Sequence, residues 1–226
     1  MYLEQNIKGI CDRFGLDFDL FLNDLEVDSV HELTILDLEA IAEEYDTDLY
    51  ALIFDHSFKS HALKEKIEKI KLLVIDVDGV MTDGGMYFTE SGDQMKKFNT
   101  KDGMAIIALT KSDFQVAIIS SGFKGEAVKA RAGMLGIQFC YVGRDPKIDI
   151  LDKHLAALGL AYENVAIIGD DINDLSIMRK VGFSACPSDS VNEVKKVCDV
   201  VLTTKGGQAC VRELIDNYLL DKPLTK

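Results

Sequence analysis

The sequence predicts a doubly wound α/β domain of three layers, preceded by a small all-α module. Three observations carry this. From Lys71 onward, short unbroken apolar runs alternate with helical stretches. The first 55 residues show helical spacing and no strand-like alternation. Charge divides the chain at the same place: residues 1–60 hold three basic residues (Lys8, Arg13, Lys59) against fifteen acidic ones, a net charge of −12, while the remainder of this −13 chain stands at −1.

The elements follow in order. Leu36, Leu38, Ile41 and Ala42 repeat at helical spacing, with Glu39, Glu43 and Glu44 between them; Leu49, Leu52 and Ile53 repeat one turn later. Leu63, Ile67 and Ile70 among Lys64, Glu65, Lys66, Glu68 and Lys69 read as an amphipathic connecting helix. The expected division is therefore a module at 1–60, a linker helix at 61–70 and the α/β domain at 71–222. Its buried parallel strands are 72–75, 116–119, 139–142, 165–168 and 200–202. Helices are expected at about 102–112, 124–135, 147–158, 172–181 and 207–219. Residues 84–98 break the alternation, and two extended runs around Ser91-Gly92-Asp93 read as a β-hairpin.

Bulk properties narrow the class. At 226 residues the chain holds one large domain, or one with a small companion. No apolar run approaches the ~18 residues that span a bilayer. The first residues have no basic stretch followed by an apolar core, so no secretory leader is expected. Five scattered cysteines without a Cys-x-x-Cys spacing argue against a disulfide framework or zinc knuckle and for a reducing cytoplasm. His31, His56 and His61 are too dispersed for a metal site and read as surface histidines.

The chemistry-bearing residues fall at strand ends, where sites form in open parallel sheets. Asp76 ends the first strand and Asp78-Gly79 opens the turn after it. Gly79 permits a tight turn, so the two carboxylates can converge. An aspartate can attack phosphorus and form an aspartyl-phosphate; a second can protonate the leaving oxygen and then deprotonate water. By itself Asp-x-Asp-Gly is more often a solvated turn, but three further features accompany it. Ser120 ends the second strand, with Ser121 and Gly122 opening what reads as a helix N-terminus fit for phosphate. Lys147 starts a helix, where its charge opposes the dipole and needs another reason, such as neutralising phosphate; Lys153 is its competitor. Asp170, Asp171 and Asp174 put three acids in five residues after a buried strand, which calls for a cation such as Mg²⁺.

With these residues in place, the chain from about 70 to 222 resembles the haloacid-dehalogenase (HAD) superfamily. Within it, the chain is similar to the capless 3-deoxy-manno-octulosonate 8-phosphate (KDO 8-phosphate) phosphatases and their nine-carbon N-acylneuraminate 9-phosphate relatives. The likeness lies in Asp76-Val77-Asp78-Gly79-Val80-Met81-Thr82-Asp83-Gly84, Lys97-Phe98-Asn99-Thr100-Lys101-Asp102-Gly103, Arg131-Ala132 with Leu135-Gly136-Ile137, Gly169 to Asp174, and Gly206 to Glu213. The resemblance implies a Rossmannoid three-layer parallel sheet with a β-hairpin flap and no cap domain. It implies Asp76 as nucleophile and Asp78 as acid/base. Mg²⁺ would be held by the Asp76 carboxylate, the Asp78 carbonyl and Asp170, with Asp171 and Asp174 behind them. Ser120 or Ser121, Gly122, Gly79 and Lys147 would meet the phosphoryl group, and Lys101, Arg131 and Arg212 the rest of a sugar-acid phosphate. A homotetramer is implied as well.

The chain also departs from that pattern. Where these phosphatases read Thr-Gly-Arg, it reads Ser120-Ser121-Gly122-Phe123, closer to phosphoserine phosphatases. The missing arginine removes a bidentate carboxylate partner. The rival readings are the N-acylneuraminate enzyme, a phosphoserine-type phosphatase, which lacks room for a cap before Ser120, and a non-catalytic scaffold on the same fold.

Residues 6–54 weakly resemble the five-helix Cro/C1 helix-turn-helix, in Ile7-Lys8 to Gly15-Leu16, Leu36 to Tyr45 and Asp48 to Leu52. Duplex affinity comes from Lys and Arg on phosphates. A module at −12, with Asp24, Glu26, Asp28 and Glu32 around the would-be reading segment, repels DNA. A protein contact or oligomerisation role is expected, with a degenerate spacer as the alternative.

Overall fold

The computed structural model describes residues 2–54, 61–122 and 124–220. The chain divides into two compact units, 1–65 and 66–226.

The first unit is helical: α1 (Leu3–Phe14), α2 (Phe18–Asp24), α3 (Ile35–Glu44) and α4 (Leu49–Phe54). Side chains three and four apart on α1 (Leu3, Ile7, Ile10, Cys11) pack with Leu22, Val30, Leu38, Ile41, Ala42 and Leu52. Caps set the boundaries. Asp17 accepts the N–H of Asp19 and Leu20, and Thr34 with Asp37 closes a capping box on α3. Among the described residues, 2–54 hold four α-helices. The would-be reading segment is a single 3₁₀ turn, Val30–Glu32, following Glu26 at φ 57°. His31 is exposed; His56 and the side chain of His61 lie outside the described residues. α5 (His61–Glu68) runs across the division.

The second unit is built on β1 (Leu72–Ile75), β4 (Gln115–Ser121), β5 (Phe139–Gly143), β6 (Val165–Ile168), β7 (Phe183–Cys186) and β8 (Val200–Val201). They form one parallel sheet in the order β5-β4-β1-β6-β7-β8. The remaining pair, β2 (Tyr87–Phe88) and β3 (Gln94–Met95), is the antiparallel hairpin. Helices α6 (Thr100–Thr110), α7 (Glu126–Leu135), α8 (Lys147–Leu158), α9 (Leu175–Met178), α10 (Asn192–Lys195) and α11 (Cys210–Leu214) alternate with the strands. Leu72 and Val74 pack with Ile150, Leu151 and Leu155 of α8 and Ile177 of α9. Leu73 and Ile75, also fully buried, alternate to the opposite face. Between β1 and α6 the chain makes a wide turn over Val77–Met81 and then the hairpin. The strand order reverses at β1, which places the crevice beyond its carboxyl end.

Several boundaries differ from expectation. β7 was not predicted. Ser184 interrupts its apolar run, yet it is buried because its hydroxyl and N–H both bond the Asp199 carboxylate, at 3.1 and 2.9 Å. The helix expected from residue 124 begins at Glu126, so Ser121 and Gly122 do not open it. The helix expected over 172–181 is a 3₁₀ turn, Ile172–Asp174, followed by α9. That over 207–219 starts at Cys210 and widens into a π turn over Ile215–Leu219. Residues 221 and 222 of the expected domain lie outside the described residues.

Candidate active site

Asp76 follows β1 directly and is 5% exposed, so the apolar strand carries a carboxylate into the interior. The chain then turns at Gly79, whose φ of 90° suits glycine. A Cβ at Gly79 would lie 2.0 Å from Asp170 Oδ2. Both the backbone angle and the close approach therefore demand glycine. In Gly79→Ala we expect a folded protein by circular dichroism with catalysis down about 100-fold, the effect of displacing a reacting group by about 1 Å.

Beside β1, β6 ends at Ile168 and Gly169-Asp170 follow. Asp76, Asp170 and Asp174 each offer a carboxylate oxygen within 4.8 Å of the others. Lys147, first residue of α8, is buried against them: its Nζ lies 2.8 Å from Asp76 Oδ1 and 2.7 Å from Asp174 Oδ1. Burial disfavours its charge, but Asp76 and Asp174 more than reverse that and hold its pKa above the ordinary range. This ion pairing is the reason a cation tolerates a helix N-terminus. Lys153 is exposed.

The three acids are not equivalent. Asp174 is saturated: besides Lys147 on Oδ1, its Oδ2 accepts the N–H of Asp170 (3.1 Å) and Asp171 (3.4 Å). Asp171 is exposed and its carboxylate caps the turn by accepting Ile172 N–H at 2.7 Å. Asp170 is the unsatisfied member. Its Oδ1 is buried without a hydrogen-bond partner. Burial, then Asp76, Asp174 and Asp171, push its pKa up to about 8 against the pull of Lys147. Burial and Asp174 likewise raise Asp76 to about 6, with Lys147 opposing.

An orphaned buried carboxylate oxygen facing a second carboxylate fits a small hard dication, and magnesium takes such a site with waters and phosphate oxygens. Asp76 and Asp170 have the free valence to hold it. The cost of the metal-free site has a sign. A carboxyl raised from about 4 to about 8 favours the fold while protonated, and that contribution is lost as pH rises through this window. The gain in melting temperature on adding Mg²⁺ should therefore grow between pH 5 and 8 (roughly the interval between the two pKa values); a gain independent of pH would contradict this.

Asp78 is half-exposed and forms an ion pair with Lys96, just after β3. Lys97 meets Asp83 at 2.7 Å. Sequence reasoning missed Lys96, because nothing in the line of residues distinguishes it from the exposed Lys97. It also missed the clamp on the turn after Asp76. Gly207 N–H donates to Val80 O at 2.8 Å, and Asn99 Nδ2 donates to Gly207 O at 2.9 Å. A Cβ on Gly206 would lie 2.0 Å from Gly79 O.

The remaining expected residues are more scattered. Ser120 and Ser121 both belong to β4; Ser120 is buried, and Ser121 is exposed and accepts Asn173 Nδ2 at 3.4 Å. The N–H of Gly122 is spent on Gly143 O at 3.2 Å, extending the sheet. Phe123 lies outside the described residues. Lys101 is exposed on α6. Arg131 and Arg212 instead flank Asp102, a buried carboxyl pushed up to about 6 by burial and drawn back by the N–H groups of Arg212 and Val211 and by both arginines. Arg212 N–H meets Asp102 Oδ1 at 2.8 Å, and its guanidinium meets Asp216. Arg131 reaches Asn99 O at 3.5 Å.

A parallel sheet that ends β1 in a buried aspartate, with a lysine and further acids from neighbouring strand ends, defines a haloacid dehalogenase-like hydrolase. Residues 145–214 match that family. The 3-deoxy-D-manno-octulosonate 8-phosphate phosphatase of Escherichia coli K12 is 41% identical over 155 residues, 69% of this chain and 82% of that protein. The crystal structure of the protein of the same name from Yersinia pestis matches with a TM-score of 0.68 at 38% identity, over 70% of this chain and 85% of that one. That from Moraxella catarrhalis, in complex with a magnesium ion, a phosphate ion and KDO, gives 0.68 at 33% identity, over 71% and 92%. The chain belongs to the family of 3-deoxy-D-manno-octulosonate 8-phosphate phosphatases.

Proposed function

We propose that the protein hydrolyses KDO 8-phosphate to KDO and phosphate, using magnesium and an aspartyl-phosphate on Asp76. The observation that supports this most is the buried contact of Lys147 with Asp76 Oδ1: a phosphoryl group carried by Asp76 lies within reach of the same ammonium.

Asp76 attacks phosphorus in line with the departing sugar oxygen, and Asp78 gives that oxygen a proton. Asp78, now a base, takes a proton from the water that cleaves the aspartyl-phosphate. Lys147 and the hydroxyl of Ser120 or Ser121 hold the equatorial oxygens as charge spreads over them. Lys96 keeps Asp78 against the turn. Asp174 fixes Lys147 on one side and the Asp170 backbone on the other. Asp76, the Asp78 carbonyl and Asp170 would hold magnesium, which would supply charge neutralisation at the carboxylates and phosphate oxygens. Gly79 supplies the close approach, and Lys101, Arg131 and Arg212 belong to the sugar-acid side.

The chain is read as a module at 1–60, a linker at 61–70 and a phosphatase domain at 71–222. The exposed hairpin residues Met86, Tyr87, Phe88 and Met95 support a homotetramer that covers them. The module's acidic surface with exposed Leu20, Ile35, Leu36 and Tyr50 supports a protein contact. Among the described residues no helix is long and apolar enough to cross a membrane, and a cytoplasmic location is proposed.

The test compares phosphate release from KDO 8-phosphate, N-acetylneuraminate 9-phosphate and phosphoserine with and without Mg²⁺. The highest kcat/KM is expected on the first. Preference for another of the three would reassign the substrate, and release from none would favour the scaffold.

A further inference from the structure

Two thiols that phosphoryl transfer does not use face each other near the β8 edge of the sheet. Cys186 ends β7 and is fully buried; Cys198 follows α10 and is half-buried. Their sulfurs are 3.3 Å apart. A disulfide needs about 2.05 Å between sulfurs, so a small side-chain movement joins them. Cys11 and Cys210 are buried as well, and Cys140 is half-buried, its thiol pushed up by burial.

The pair is also chemically poised. The Cys198 thiol hydrogen-bonds Cys186 and draws the Cys186 pKa below the ordinary thiol range, with Ser190 and Lys195 assisting against burial. The same contact, with burial and the charge of Asp199, holds Cys198 protonated. Thiolate character at Cys186 is what attacks an oxidant.

We propose that Cys186 and Cys198 are an oxidative modification site, a dithiol that hydrogen peroxide converts reversibly to a disulfide. The thiolate sulfur attacks one peroxide oxygen, the O–O bond breaks, and water leaves with the proton, giving a sulfenic acid. The second sulfur attacks the first; the S–O bond breaks and a second water carries off the remaining thiol proton. Two thiols are oxidised and one peroxide is reduced to two waters. A small thiol reverses the bond by exchange. The bridge closes 187–197 into a loop, and that loop already touches the site: Val191 N–H donates to Asp170 O at 3.1 Å, and Asp189 Oδ1 accepts Gly206 N–H at 2.9 Å.

The experiment treats the full chain with hydrogen peroxide, quenches it by alkylation and measures intact mass and tryptic peptides. The expected result is loss of two hydrogens, a peptide pair joining 181–195 to 197–205, and reversal by dithiothreitol. Cys198→Ser should lose no hydrogens. Oxygen adducts without that loss, no reaction at all, or a two-hydrogen loss persisting in Cys198→Ser would overturn the proposal. The wild-type peptide map decides it even if the variant folds poorly.

Discussion

In Asp76→Asn, phosphate release falls by on the order of 10⁴-fold or more, as removal of a nucleophile does. Asparagine keeps the shape of the residue but has no carboxylate to attack phosphorus. Stability should move the other way. Asp76 is one of three carboxylates crowded within 4.8 Å, and its pKa is raised by burial and by Asp174. Neutralising it removes repulsion from a buried cluster, so without Mg²⁺ the variant should melt no lower than the wild type. Activity and melting temperature read on the same preparations check both halves. A variant that turns over would remove Asp76 from the nucleophile's role.

Lys147→Met has a different signature: activity and stability both fall. Lys147 is 4% exposed, and its ammonium bonds Asp76 and Asp174. Methionine matches its bulk but leaves two buried carboxylates without their cation, and breaking such a pair costs about 3–5 kcal/mol. Loss of a donor aimed at transferring charge costs about 10²–10³ in kcat. Because a dication can take over part of the neutralisation, Mg²⁺ should restore stability more than activity. Denaturant melts with and without Mg²⁺, alongside kcat, test this. Lys153→Met, at an exposed position, serves as the unperturbed control.

The sheet was legible where burial left an unbroken apolar run, as at Leu72–Ile75 and Val165–Ile168. It was illegible at Phe183–Cys186, because a serine satisfied by Asp199 looks polar in sequence and behaves as core in the fold. The clustered acids were legible from density and position, since Asp76 and Asp170 each come just after such a run. Which acid stays unsatisfied was not, because that depends on backbone N–H groups converging on Asp174. Lys147 stood out for opposing its helix dipole, and the structure supplies the carboxylates that repay the anomaly. The hydroxyl site was misjudged as a helix start because Ser120 and Ser121 extend the strand and α7 begins only at Glu126. Contacts distant in sequence, such as Lys96 with Asp78 or Asn99 with Gly207, leave no local trace.

The hold of Gly206 and Gly207 on the turn after Asp76 also orders events in time. A ribosome makes Asp76 well before Gly206, and chains fold as they emerge. Until the later segment arrives, the turn lacks the N–H of Gly207 on Val80 O, and the glycine surface that fits beneath Gly79 O is missing. A nascent chain thus carries the turn after Asp76 unbraced until Gly206 and Gly207 have been made, and the two ends of the domain must meet before that turn is held.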